Sequence, residues 1–306
     1  MYPDRVADFL SHRLDTEVTS VASVGHGEWS QAFTFRHGDA QRVVRFSALE
    51  EDFLKDQRAA AYASGDLPIP RIVDLGEAFS GYFAISERAT GDYLDALDDS
   101  QLRRALPSLW KALDAARAVD LSASRGFGEW DANGNAPHAT WRDALLDATN
   151  DRPTLRTAGW RQRLASSPTG DGPFEQAYRH LTSLVTVCPE ERHLVHADLL
   201  NYNVLVAGDR ISAVLDWGSS LYGDFLFDIA WFMFWQPWYP AWRQIDFLEE
   251  AAQHYAAIGL DVPHFEVRLR CYEVVIGLDN QAYSAYKGRW EQLAAVAERT
   301  LAIASG

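Results

Sequence analysis

Four residues in the stretch HLVHADLLNYNVLVAGDRISAVLDWG, residues 193–218, have types and spacing that suit phosphoryl transfer. They are His196, Asp198, Asn203 and Asp216, an H-x-D-x-x-x-x-N…D series. One carboxylate of such a set orients and accepts the proton of an attacking hydroxyl. An amide oxygen and a second carboxylate hold magnesium against nucleotide phosphates. The spacing has a structural reading. Asn203 opens the apolar run NVLVA, Gly208-Asp209 makes a turn, and ISAVLDW returns, so a hairpin carries Asn203 and Asp216 toward each other. Asp198 falls on the loop entering the first strand, where its oxygens can face the same ion.

The surrounding elements must present these groups. Residues 3–15 read as a helix, with Val6, Phe9, Leu10 and Leu14 on one stripe. TEVTSVASV and QAFTFRHG alternate as strands around GHGEWS, a glycine loop whose backbone N–H groups, at Gly27 and Glu28, and Ser30 hydroxyl suit phosphate contact. QRVVRFS is the next strand and carries Arg45; a helix follows near 51–64. Pro68 and Pro70 bias LPIPRIVDLG away from helix, and YFAISERATG is a strand that turns at Gly91. Helices are expected around Leu102–Ala116, from Thr140 through TWRDALLDAT, and over Phe174–Leu184. DLSASRGFGEWDANGNAPHA reads as a loop, with covering a site and wandering over the surface both open. After Trp217, Asp224 is placed to cap a helix rich in aromatics, and helices fill 241–258, 264–286 and 289–304.

Composition narrows the function classes. A chain of 306 residues with 47% hydrophobic and 23% charged residues can bury a large core. No run of about 20 apolar residues is present, so no membrane span is expected. MYPDRVADFL lacks the apolar core of a signal peptide, and Cys188 and Cys271 have no metal-like spacing. The expected setting is the cytoplasm, with both thiols reduced. A net charge of −15 argues against a nucleic-acid partner and suits a polycationic small molecule.

These residues, with VGHGEWSQAF, LPIPRIVDLGE, TWRD, CPEERHLVHAD, LDW, FWQPW and IGLDN, resemble the aminoglycoside phosphotransferase family of kinase-like enzymes, and within it the branch acting on hygromycin B. The resemblance covers most of the chain. It implies an α+β, two-lobed protein-kinase-like fold: a β-rich N-terminal lobe with a helix over 1–91, and a mainly helical lobe over 92–306. It implies ATP and magnesium as cofactors and a cationic aminoglycoside as substrate, in a monomer. Asp198 becomes the catalytic carboxylate, and Asn203 and Asp216 the metal ligands. Arg45 stands where kinases place a lysine, with Asp56 as its partner. Backbone groups of Glu87 and Ala89 face adenine. His196 and Asp228 support the catalytic loop. Trp235 and Trp238 are candidates to stack on sugar faces. Asp279, beside Tyr283, is the best-placed partner for substrate ammonium groups, ahead of Glu249, Glu250 and Glu273. Two other readings stay open: a kinase of another small molecule (a macrolide, an amino alcohol or a sugar), and a nucleotide-binding relative without catalysis.

Overall fold

The computed structural model describes residues 2–147 and 150–306. The first helix, α1 (Pro3–Leu14), starts on a proline, carries Asp4 in its first turn and buries Val6 and Leu10. Five antiparallel strands follow: β1 (Thr19–His26), β2 (Ser30–His37), β3 (Ala40–Ser47), and, after helix α2 (Glu51–Ala59), β4 (Ile72–Ala78) and β5 (Gly81–Glu87). Their order is β1-β2-β3-β5-β4. Alternation assigns the faces. Phe33, Phe35, Val44, Phe46, Phe83 and Ile85 form one buried cluster with Val6 and Leu10 of α1. Phe9 closes this cluster edge-on against Phe46 and Phe83, at centroid distances of 5.6 and 5.0 Å. On the other face Ala84 and Ile72 pack with Phe53 of α2. The sheet is therefore covered by α1 on one side and α2 on the other, and α2 touches the segment that follows Asp216.

The chain leaves the sheet through residues 87–91. Gly91 has φ +151, and a Cβ there would lie 2.6 Å from the Val206 carbonyl oxygen. Only glycine allows that approach, and it lets β6 (Asp92–Tyr93) pair with the hairpin of the second lobe. Helix α3 (Asp99–Arg117) begins with a capping box between Asp98 and Gln101. Next come β7 (Gly128–Glu129), α4 (Trp141–Asp147), α5 (Trp160–Ala165) and α6 (Gly172–Leu184). Thr140 caps α4, accepting the Asp143 N–H at 3.0 Å. The continuation expected through Ala148 and Thr149 lies outside the described residues.

Strands β8 (His193–Val195), β9 (Val204–Ala207), β10 (Arg210–Val214) and β11 (Leu221–Gly223) build two small sheets, ordered β10-β9-β6 and β7-β11-β8. The loop that carries Asp198 runs between β8 and β9, so a different sheet anchors each end. The loop left open in sequence, residues 120–139, supplies β7 to one of them and buries Trp130. Helices α7 (Phe227–Trp235), α8 (Phe247–Ala257), α9 (Phe265–Lys287) and α10 (Trp290–Ser305) complete the lobe. The expected helix from 241 starts only at Phe247. Gln236 explains the delay: its amide donates to the carbonyls of Trp242 and Ile245 at 2.7 and 2.5 Å and holds residues 236–245 in a bend. Asp224 accepts the Leu226 N–H at 3.1 Å, as a cap would, but its main partner is Arg268, at 2.8 Å through both oxygens in a buried fork.

Candidate active site

The loop that carries His196, Asp198 and Asn203 is held from below by one carboxylate. Asp228, buried in the first turn of α7, accepts the N–H of His196 at 3.0 Å and of Ala197 at 2.8 Å. Burial pushes its carboxyl up to about 6, and the two N–H donors oppose that shift. The His196 ring joins two segments. Its Nε2 lies 2.8 Å from the Leu215 carbonyl oxygen, which can only accept, so Nε2 carries the hydrogen. Nδ1 then accepts the Asp198 N–H at 3.2 Å. Burial lowers the imidazole to about 4, so the ring is neutral at physiological pH and serves as a fixed strut.

Asp198 is oriented by two amides. Asn201 donates to Oδ1 at 2.8 Å and Asn203 to Oδ2 at 3.1 Å. Burial raises the Asp198 carboxyl well above the ordinary range; nearby Asp216 adds to this and the amides counter it. Ala197, Asn201 and Tyr202 take left-handed backbone angles, φ 61, 61 and 68. Such strain persists only where neighbours over-determine it. Asp95 is one such neighbour, accepting the Tyr202 N–H at 2.9 Å.

The predicted hairpin sets the second half of the site. Val204 pairs with Val214, and the Leu215 N–H meets the Asn203 carbonyl at 2.7 Å, so Asn203 and Asp216 flank the same end of β9–β10. The Asn203 amide nitrogen is spent on Asp198, which leaves its side-chain oxygen as an acceptor. With the Asp216 carboxylate this makes a small all-oxygen donor set. It suits magnesium, which takes one or two protein ligands and fills the rest with phosphate and water. Burial and then Asp56 raise the Asp216 carboxyl, and Arg45 opposes them.

Arg45 on β3 and Asp56 on α2 form an ion pair. The other Asp56 oxygen accepts the Trp217 N–H at 2.7 Å, so one carboxylate links β3 to the residue after Asp216. Burial acts to lower Arg45, but Asp56, Asp216 and Asp52 around it more than reverse this.

The glycine loop is a tight hairpin tip. Gly27 N–H is committed to the Ser30 carbonyl at 2.9 Å, a correction to its reading as a phosphate donor. The Glu28 side chain is also turned to another use: it pairs with Arg289, and with Lys287 at 3.6 Å, at the end of α9. Lys287 lies 4.3 Å over the Trp29 ring. What remains for a phosphate is backbone N–H at the tip and the Ser30 hydroxyl. In the linker, the Glu87 N–H meets the Arg71 carbonyl at 3.1 Å and its side chain pairs with Arg71 at 3.0 Å. Among the described residues no hydrogen bond takes up the Ala89 N–H.

The substrate candidates fall into two groups held by different neighbours. Trp235 and Trp238 pack edge to face at 5.2 Å, and Trp238 is 40% exposed. Among the described residues the Trp235 indole N–H has no partner. Asp279 opens to solvent, yet the walls around it desolvate it; this, with Glu129 nearby, pushes its carboxyl to about 6. Tyr283 lies under both Lys287 and Arg289, at 5.5 Å each, so those cations, not an open sugar face, are its present neighbours. Glu273 drops out as an ammonium ligand: it is buried and pairs with Arg299 at 3.5 Å. Sequence reasoning passed over Asp95, Glu129, the Asp52–Arg156 fork at 2.5 and 3.0 Å, and Lys55. Each finds its partner more than 70 residues away, so no local pattern records the pairing.

Comparison with known proteins shows the family and the fold. The model of the APH phosphotransferase enzyme family matches residues 21–265. The chain is 33% identical over 291 residues to hygromycin-B 4-O-kinase of Escherichia coli, covering 94% of this chain and 81% of that protein. The crystal structure of aminoglycoside phosphotransferase APH(4)-Ia aligns with a TM-score of 0.87 at 31% identity, covering 99% of each chain. A thermostable mutant of that enzyme, in ternary complex with AMP-PNP and hygromycin B, aligns at 0.85 with 31% identity over 98% of each. Aminoglycoside 2'-phosphotransferase-IIIa, 14% identical, shares the fold at 0.69, over 100% of this chain and 99% of that one. A family model over most of the chain, a relative 33% identical over 94% of it and a fold matched from end to end make this chain a member of the aminoglycoside phosphotransferase family of kinase-like enzymes.

Proposed function

We propose that the chain transfers the γ-phosphoryl group of ATP to a hydroxyl of an aminoglycoside of the hygromycin B type. The observation that carries this is the near end-to-end similarity to hygromycin-B 4-O-kinase, together with an intact Asp198, Asn203 and Asp216 set. Asp198 receives the hydroxyl proton. Its raised affinity for protons makes it a better base than a surface carboxylate, and the two amides aim its oxygens. The Glu87 carbonyl and Ala89 N–H receive the adenine edge, and the hairpin tip and Arg45 the phosphates. Asn203 and Asp216 would hold magnesium, whose charge, when bound, neutralises the β- and γ-phosphate oxygens. Trp235, Trp238 and Asp279 receive the sugar faces and an ammonium group, and the net charge of −15 draws a polycation toward the cleft.

The test is nucleotide turnover by the purified protein, with hygromycin B, kanamycin or a macrolide added in turn. Hygromycin B is expected to stimulate ADP release most strongly. Stimulation by the macrolide alone would move the chain to the family's other substrates.

A further inference from the structure

Lys55 lies in α2, 1% exposed, one residue before the partner of Arg45. Burying an ammonium group is costly unless its donors are met. Its Nζ donates to the Gly218 carbonyl at 2.5 Å and reaches the Ser220 carbonyl at 3.4 Å. The Trp130 ring face lies 5.0 Å away. Among the described residues the one carboxylate in reach, Glu129 at 3.3 Å, is itself 69% exposed, so solvent screens that pair. The shielded partners are the two main-chain carbonyls just beyond Asp216.

The neighbouring side chain supplies the complementary half. Asp56 accepts the Trp217 N–H at 2.7 Å, so adjacent residues of one helix grip a donor and two acceptors between positions 217 and 220. Asp216 needs such a grip. It is a non-glycine residue at φ 58 and ψ 73, a left-handed conformation that must be imposed from outside. Removing the ammonium alone would leave these two carbonyls without their donor, so the loss falls on the segment that carries them.

We infer that Lys55 is a positioning residue for phosphoryl transfer: by holding the carbonyls of Gly218 and Ser220 it fixes the pose in which Asp216 meets the metal-bound nucleotide. This rests on the reading of Asp216 as a metal ligand. It also gives α2 two roles in one turn, with Asp56 setting Arg45 and Lys55 setting Asp216.

The experiment compares wild type, Lys55→Met and Lys55→Gln by calorimetric ADP binding, in excess magnesium and in EDTA, and by amide hydrogen exchange of the nucleotide-free protein. In Lys55→Met the ADP Kd in magnesium is expected to rise about tenfold, the range seen when outer-shell support of a metal ligand is lost. The Kd in EDTA stays unchanged, and exchange quickens across residues 216–220 but not across β9–β10. Lys55→Gln keeps one donor on a shorter arm and is expected to show the same split at smaller size. Equal Kd shifts in both buffers, or unchanged Kd and exchange in either folded variant, would overturn the inference. If magnesium leaves ADP affinity unchanged in the wild type, the metal reading of Asp216 fails instead, and the exchange data still decide whether Lys55 holds the loop.

Discussion

Protonating His196 would break the loop it organises, because Nδ1 already accepts the Asp198 N–H. Its folded value is depressed to about 4, below the ordinary 6.5 of an exposed ring. The contribution to stability is therefore fully present above about pH 6.5 and is lost as pH falls toward 4. The expected size is on the order of 3 kcal/mol, at 1.36 kcal/mol per unit for a buried group. Denaturant unfolding of wild type and His196→Gln from pH 7 to 4 checks this: the gap between them should shrink as pH falls, and a constant gap would mean that the ring is not held neutral. Asp198 yields a kinetic prediction. Asp198→Asn should keep ADP affinity within about twofold while turnover falls by about 10²–10⁴, the contribution of a positioned base. At this scale the sequence was informative where several chemical types recur at set spacing, as in His196, Asp198, Asn203 and Asp216. It was silent where one charge finds a distant partner. Lys55 on a short helix looks solvated until the chain returns 163 residues later with Gly218.

Helix α2 connects the element scale to the site. Asp56 touches Arg45 on β3 and the backbone at Trp217, so Arg45→Ala and Asp56→Ala should not act independently. A double-mutant cycle on the ATP KM should give coupling of roughly 0.5–3 kcal/mol, as for contacting residues. Additive effects would mean that Arg45 acts without its partner. Elements with strong local signals were legible: the alternating strands, the hairpin through Gly208-Asp209 and the stripe of α1. Two were not. β7 has two residues and exists only because β11 pairs with it, a contact made nearly a hundred positions away. The bend at 236–245 is set by the Gln236 amide, and no helical periodicity records it.

At the scale of the whole molecule, the lobes meet through charges as well as through the linker. Glu28 at the tip of the glycine hairpin pairs with Lys287, the last residue of the helix that carries Asp279, and with Arg289 just beyond it, and Arg156 forks onto Asp52 of α2. These pairs are partly exposed, so salt should weaken them. Glu28→Gln should quicken hydrogen exchange at residues 25–31 at low salt, with the difference from wild type fading above about 0.5 M salt; no difference at low salt would show that the tip is held by Trp29 alone. The role proposed for Asp279 ties pH to substrate recognition. Its carboxyl, pushed to about 6, is ionised at neutral pH. The wild-type KM for hygromycin B should rise as pH drops below about 6, whereas Asp279→Asn should show a high KM that varies little over the same range. No helix of the described residues is long and apolar enough to cross a membrane. The central claim, phosphoryl transfer from ATP to a hygromycin-type hydroxyl through Asp198, is tested most directly by the mass of the drug. Hygromycin B incubated with ATP, magnesium and the wild-type protein should gain one phosphate, and should stay at its starting mass with Asp198→Asn over the same time. Hygromycin B left unmodified by the wild type, or phosphorylated equally by Asp198→Asn, would contradict the account.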